Sequence, residues 1–259
     1  MISIITVYNN ERTLKDWLLG SLASQKTPYQ KILINNVNGK FKSAASALNY
    51  GAKDAKGDFL MFVHQDVRLL GSDWLKKAET HLKEIDNLGV AGVAGMVEQG
   101  SSLKERGRNV IYHYGEQRKK WEWGNSIDQP TKVQTLDGLL MIVPRNVFNK
   151  LKFDEATCPG WHLYDVDYAL SIQKLGLSVY ALPLEVWHGS TTRKLDLSYF
   201  NTLRRISVKH RDRFNRIYTT MGEWDISNSA YTMMYAIKYY TGSVLRLFKQ
   251  STWDKPTDY

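Results

Sequence analysis

His64, Gln65 and Asp66 follow an unbroken apolar run, Phe59 to Val63, that opens just after Gly57. An imidazole, an amide and a carboxylate in succession put donors, acceptors and a fixed negative charge at one strand end. A buried strand has no reason of its own to stop that way, whereas the carboxyl edge of a parallel sheet is where α/β folds bind ligands. Two earlier apolar runs stop in the same manner: Ile2 to Val7 in Tyr8-Asn9-Asn10-Glu11, and Lys31 to Ile34 in Asn35-Asn36. Three polar tips on neighbouring strands make one ligand site, and Asp66 is aimed at it. Asp165 and Asp167 stand just ahead of the helical run Tyr168 to Leu175, where carboxylates cap helices as readily as they react. His188 closes the strand that begins at Leu177, next to Trp187; packing and ligation are both open to it.

The elements that carry these residues alternate. Glu11 to Ser24 has helical periodicity through Leu14, Trp17, Leu18 and Leu22, and Ser43 to Ala55 is a helix of small residues. Strand, helix, strand, helix, strand within the first 66 residues predicts a parallel sheet with right-handed crossovers. Ser72 to Asp86 reads as helix, Val90 to Met96 as strand, and Val133 to Val143 as strand broken at Asp137-Gly138, before a helix from Arg145 to Leu151. Between them, Glu98 to Thr131 is polar, aromatic and without period, a long excursion of the kind that is commonly functional. The expected architecture is an α/β domain with a mostly parallel central sheet flanked by helices, followed by a C-terminal helical extension.

Composition narrows the partners. The chain has 259 residues, a net charge of +9 and one cysteine, Cys158, so it holds no internal disulfide and no cysteine-based metal cluster. The opening Met1-Ile2-Ser3-Ile4-Ile5 reads as a strand and not as a signal peptide, and no stretch of about 18 residues is apolar enough to span a bilayer. A cytoplasmic protein is expected, with a peripheral contact at the inner face of the cell membrane as an option. The basic surplus calls for an anionic partner and crowds into Arg204, Arg205, Lys209, His210, Arg211, Arg213 and Arg216. Interleaved Ile206, Val208, Phe214 and Ile217 make that stretch a basic amphipathic helix or a solvated face. Ser229 to Lys249 mixes Tyr, Met and basic residues, which suits a membrane interface, a core or a subunit contact.

Taken in order, the tip Thr6 to Glu11, the helix Ala45 to Gly51, Gly57 to Asp66, Asp137-Gly138, Phe153-Asp154-Glu155, Tyr164-Asp165-Val166-Asp167 and Val186-Trp187-His188 resemble family 2 glycosyltransferases of the GT-A fold. The resemblance covers about residues 1 to 190. It implies a GT-A domain over 1–194, with 195–259 as the extension. It also implies an inverting transfer of sugar from a nucleotide-diphosphate donor, a UDP-sugar first, to a glycan or lipid-linked acceptor in polysaccharide biosynthesis, with Mn²⁺ or Mg²⁺ as cofactor and no nucleic acid.

By the same resemblance Thr6, Tyr8, Asn10, Glu11, Asn35, Asn36, Asn49, His64, Gln65 and Arg193 contact the donor. Asp137, Gly138, Trp161, Tyr164 and Asp167 face the acceptor side. Asp66 and His188 hold the metal, and Asp165 is the general base. Three positions depart from the family pattern: Asn35 replaces an aspartate, His64 replaces the first acid of the Asp-any-Asp motif, and Tyr164 replaces a glutamate. His64 reads as a strand-end histidine hydrogen-bonded to backbone in preference to a direct ligand, with both open to it. Two other functions share parts of these features. A sugar-nucleotide-forming nucleotidyltransferase has the architecture but needs a glycine-rich phosphate loop, absent from Tyr8 to Glu11. A non-catalytic module binding carbohydrate or nucleic acid fits the charge and the eight tryptophans.

Overall fold

The structure, a computed structural model, describes residues 1–114, 120–189, 195–228 and 230–237. Its centre is a seven-stranded sheet in the order Thr131–Lys132, Ser178–Ala181, β5 (Leu88–Gly92), Leu140–Pro144, β3 (Phe59–Val63), β1 (Ile2–Tyr8) and β2 (Tyr29–Asn35). β1 runs parallel to both β2 and β3, as the alternating pattern predicts. Successive side chains along each strand fall on opposite faces, so residues two apart share one. Ile5, Leu60, Phe62, Met141 and Val143 pack on one side with the helices Ala44–Ala52 and Tyr164–Lys174. On the other, Ile2, Ile4, Met61, Val63 and Ile142 meet Leu14, Leu18 and Leu22 of the first helix and Leu75, Ala78 and Leu82 of Trp74–Glu84. Small residues bring Ala44–Ala52 close to the sheet: a Cβ on Gly51 would lie 2.3 Å from Ile34 Cδ1.

The sheet is mixed: five of its seven strands run one way, in keeping with the expected mostly parallel sheet, and two run against them. Leu140–Pro144 is antiparallel to both β3 and β5, and Thr131–Lys132 is antiparallel to Ser178–Ala181. The reversal has a local cause. The chain re-enters at the carboxyl end of β3, where the His64 N–H donates to Leu139 O at 2.9 Å, so Leu140–Pro144 can only run back along β3. Asp137 and Gly138 thereby come to rest beside His64.

A second sheet forms at that edge: β4 (Val67–Leu69), Val186–His188, Ile111–Tyr114 and Lys120–Trp123. Within it His188 lies opposite Val67 on one side and His113 on the other. Part of the Glu98 to Thr131 excursion is therefore strand, and it adds a histidine at the site.

Beyond residue 194 the helix Leu197–His210 buries Tyr199, Phe200, Leu203 and Ile206 in the same core cluster as the sheet. It ends at His210, and Phe214 and Ile217 are buried after it, Ile217 in the hairpin Arg216–Thr219/Gly222–Asp225, so the basic stretch is only partly helical. Of the tyrosine- and methionine-rich segment only 230–237 is described. There the Tyr235 hydroxyl accepts the Asp225 N–H at 3.1 Å, while Met233, Met234 and Ile237 are exposed. Among the described residues no helix is long and apolar enough to cross a membrane.

Candidate functional site

Strand tips converge on one cleft. Val7 and Tyr8 from β1, Asn9, Asn36 just past β2, and His64, Gln65 and Asp66 just past β3 line a cavity of about 340 Å³ with Trp161. Gln65 ties the tips together. Its Oε1 accepts the backbone N–H groups of Asn9 and Asn10 at 3.1 and 3.0 Å, and its Nε2 donates to Asn9 Oδ1 at 2.7 Å. Asn10 caps the first helix by accepting the Thr13 N–H at 2.9 Å, and Glu11 is exposed in its first turn. Asn36 lines the cleft while bonding both ways to the Phe41 backbone.

Other residues expected at the donor are committed elsewhere. The Thr6 hydroxyl, fully buried, donates to Val63 O at 2.6 Å and fastens β1 to β3. Asn49 binds the Phe153 backbone in both directions and donates to Glu155 Oε1 at 2.9 Å, which fixes the Phe153 to Glu155 loop on its helix. Asn35 is exposed and accepts the Val37 N–H. Arg193 lies outside the described residues.

His64, Asp66 and His188 form a cluster whose ligand atoms all lie within 4.8 Å of one another. His188 Nε2 is 3.6 Å from Asp66 Oδ1, and both buried ring nitrogens lack a hydrogen-bond partner. A polar group buried without a bond is costly, and a cation would satisfy it. Burial pushes the His188 pKa down, against the opposing pull of Asp66; the neutral imidazole so favoured is the form that ligates metals. The rings of His64 and His113 flank His188 with centroids 5.8 and 5.4 Å away. One carboxylate and two imidazoles suit a first-row divalent cation. His64 stands close enough to join such a candidate ligand set, and its Nε2 also lies 3.3 Å from the Tyr164 hydroxyl. In sequence His113 stands only as one of the aromatic residues of the Glu98 to Thr131 excursion, read as part of the acceptor side, and the Tyr112-His113-Tyr114 run is its one signal.

On the other wall of the cleft, helix Tyr164–Lys174 starts from Leu163, whose φ of 63° is left-handed. A branched residue there costs roughly 1–2 kcal/mol, which the surrounding core must hold. The first turn then presents Tyr164 and Asp165 to Asp137-Gly138. The Gly138 N–H donates to Asp165 Oδ2 at 2.6 Å, and the Tyr164 hydroxyl donates to Gly138 O at 3.1 Å and sits 3.3 Å from His64 Nε2. Only glycine fits at 138, because a Cβ would stand 2.5 Å from the Tyr164 hydroxyl. Asp137 is braced by the Leu139 N–H and the Thr220 hydroxyl. Burial, then the Asp137 charge, push the Asp165 pKa up to about 7, partly offset by the Val166 and Gly138 N–H groups. The residue nevertheless keeps some solvent exposure.

Asp167 is buried, does not cap the helix, and is turned to the side of the helix opposite Asp165. Its oxygens meet Lys209 Nζ and His210 Nε2, each at 2.8 Å, while Lys209 also reaches Asp154 at 2.8 Å. Two residues apart on a helix is about 200° of rotation, so Asp165 and Asp167 serve opposite sides. Asp167→Ala leaves His210 unpaired in a fully buried position and is expected to cost about 3–5 kcal/mol. Chemical denaturation checks this, and a loss below 1 kcal/mol contradicts the ion-pair role.

The profile of the "Glycosyltransferase like family" matches residues 3–211. Among solved structures, GalNAc-T7 with UDP, GalNAc and Mn²⁺ superposes with TM-score 0.58 at 14% identity, covering 80% of this chain and 48% of that one. The Pyrobaculum calidifontis mannosyltransferase PcManGT with GDP-Man and Mn²⁺ gives 0.53 at 14%, covering 82% and 63%. S. aureus TarS 1-349 gives 0.51 at 15%, covering 80% and 64%. The chain thus spans about half to two thirds of the length of these structures, and at such identities they speak for the fold alone. No curated protein matches it. With four fifths of its length matched by the family profile, an α/β sheet like that of GT-A enzymes, and acid and histidine residues gathered at the strand tips, this chain belongs to the glycosyltransferase-like family.

Proposed function

We propose that the protein transfers a sugar from a nucleotide-diphosphate donor to an acceptor hydroxyl with inversion, and that a divalent cation assists. The observation that carries the reading is the chain of contacts from the His64–Asp66–His188 cluster through Tyr164 and Gly138 to Asp165. It supports the reading because it links a carboxylate able to serve as base to a candidate cation site through a short run of hydrogen bonds. Tyr8, Asn9 and Asn36 offer a ring and amides to the nucleoside, in keeping with neighbours solved with UDP and with GDP-Man. His64, Asp66 and His188 would hold the cation, and the two imidazoles favour Mn²⁺ over Mg²⁺. When bound, such an ion offsets the negative charge that builds on a departing diphosphate.

The chain's own residues do the rest. Asp165 accepts the proton of the acceptor hydroxyl as that oxygen bonds to the anomeric carbon and the bond to the diphosphate breaks on the opposite face. The Gly138 N–H fixes which Asp165 oxygen is turned inward and leaves the other for the acceptor. Trp161, exposed at the mouth, offers an apolar face to a sugar ring.

Because Asp165 must be ionised to act, kcat/KM is expected to fall on the acid side with an apparent pKa near about 7. A profile flat from pH 5 to 8 contradicts Asp165 as base. The function itself is tested by incubating the protein with UDP-, GDP- and dTDP-sugars, with Mn²⁺ or EDTA, and following nucleoside diphosphate release with and without acceptor sugars. EDTA-sensitive release from one donor class supports the reading, and failure of every nucleotide to bind the cleft overturns it.

A further inference from the structure

Helix Leu197–His210 turns a second face away from the core. Asn201, Arg204, Arg205 and Val208, spaced i, i+3, i+4, i+7, are all exposed. With Lys209 and the loop residues Ala156 and Thr157 they line an open groove of about 690 Å³. The groove is firmly built. Arg205 Nη1 donates to Ala156 O at 2.7 Å, pinning the loop to the helix, and Lys209 is locked between Asp154 and Asp167. Lys209 offsets one of those two acids, so that with Arg204 and Arg205 the group sums to +1, and Arg204 has no ion-pair partner among the described residues. The groove is left with a net positive field.

We infer that this groove is a subsite for an acidic glycan chain, binding phosphate or carboxylate groups of an extended acceptor. The inference rests on the transfer function proposed above and adds the class of acceptor. Guanidinium forks match the planar or tetrahedral oxygens of such groups, and Asn201 and Thr157 can serve sugar hydroxyls. The loop gives the connection to chemistry. Thr157 and Trp161 are four residues apart, at most about 14 Å of chain, so a ligand occupying both the groove and the mouth of the cleft spans only a few sugar units. Two other anionic partners fit less well. A bilayer needs a convex face with aromatic or long apolar groups, but the groove is concave and its only exposed large apolar side chain is Val208. Single-stranded nucleic acid needs stacking platforms, and among the described residues no aromatic side chain lines it.

The test is direct binding, by calorimetry, of a hyaluronan octasaccharide and of a glycerol phosphate oligomer, with chitotetraose as the neutral control. Vesicles of phosphatidylglycerol and phosphatidylcholine form a separate arm. The acidic oligomers are expected to bind in a salt-sensitive manner and the neutral one to bind far more weakly. Arg204→Glu, at an exposed position with no side-chain hydrogen bond or ion pair among the described residues, is expected to weaken acidic binding about tenfold or more. Arg204→Gln/Arg205→Gln should do the same, with melting curves reporting whether the loop anchor still holds. Equal binding of the neutral sugar, unchanged affinity in Arg204→Glu, or binding to the vesicles alone overturns the inference. Titration of UDP with Mn²⁺ on the same samples separates the two readings. UDP bound without the acidic oligomers removes only the subsite, and the oligomers bound without any nucleotide remove the transferase reading and its acceptor together.

Discussion

Replacing Asp66 with alanine is expected to abolish cation-dependent transfer while leaving a folded protein. Asp66 contributes its backbone to the fold, through the Gly189 N–H donated to its carbonyl at 2.8 Å, and its side chain is only the acidic member of the His64–Asp66–His188 cluster. Surface-reaching side chains outside the core usually change stability by about 0.5 kcal/mol or less. Removing the one carboxylate leaves two imidazoles and no fixed negative charge, so Mn²⁺ affinity should fall by more than the 10- to 100-fold, roughly, seen when only supporting groups around a metal are lost. Two readouts apart from turnover decide it. Mn²⁺ binding followed by electron paramagnetic resonance should disappear, and the rise in melting temperature that a native-state ligand confers should vanish with it. A variant that binds Mn²⁺ as the parent does would take Asp66 out of the site. His188→Gln is the companion change. It keeps a buried polar group where His188 now has two nitrogens without a bond, and it should weaken Mn²⁺ with little gain or loss in the absence of metal.

Part of this site can be read directly from residue order. An apolar run ending in His64-Gln65-Asp66 points to the carboxyl edge of a sheet because strand period and burial leave few other reasons for such an ending. The structure brings Tyr8, Asn36 and Asp66 to one cleft accordingly. What is hidden is whatever depends on a distant partner. Leu140–Pro144 looks the same whether it runs parallel or antiparallel, since burial on both faces erases direction, and the sheet is mixed for a reason that lies in the return path past His64. Thr6 sits among the tip residues, yet strand alternation turns it inward to Val63. Asn49 and Asp167 are polar residues on helices whose partners, Phe153 in one case and Lys209 and His210 in the other, are 42 to 104 residues away. His113 lies in a stretch too irregular to announce a strand, and only pairing with Val186–His188 gives it a place.

The base is isolated by Asp165→Asn. The amide keeps the size and can still accept the Gly138 N–H, but it takes no proton at neutral pH. Donor affinity should therefore stay near that of the parent while transfer falls by about a hundredfold to ten-thousandfold, the usual worth of a general base. Stability should move the other way. A carboxyl whose folded pKa lies near 7 against an ordinary 3.8 stabilises the protein fully only below the ordinary value. That contribution is lost as pH rises through about 7, when burial and the Asp137 charge oppose ionisation. At pH 8 the parent carries this penalty and Asp165→Asn does not. The variant should then melt higher, by on the order of 1 kcal/mol once the residue's partial exposure is allowed for, and the advantage should fade towards pH 4. Asp167→Asn is the opposite case. It gives up a buried charge paired with Lys209 and His210, so it should lose stability at neutral pH, yet transfer by the folded fraction should survive because Asp167 faces away from Asp165. An inactive, stabilised protein from the first change and an active, weakened one from the second is the pattern that only a base at 165 and a brace at 167 produce. Wild-type transfer by Asp165→Asn would move the search for the base to Asp137, which shares the Gly138 turn.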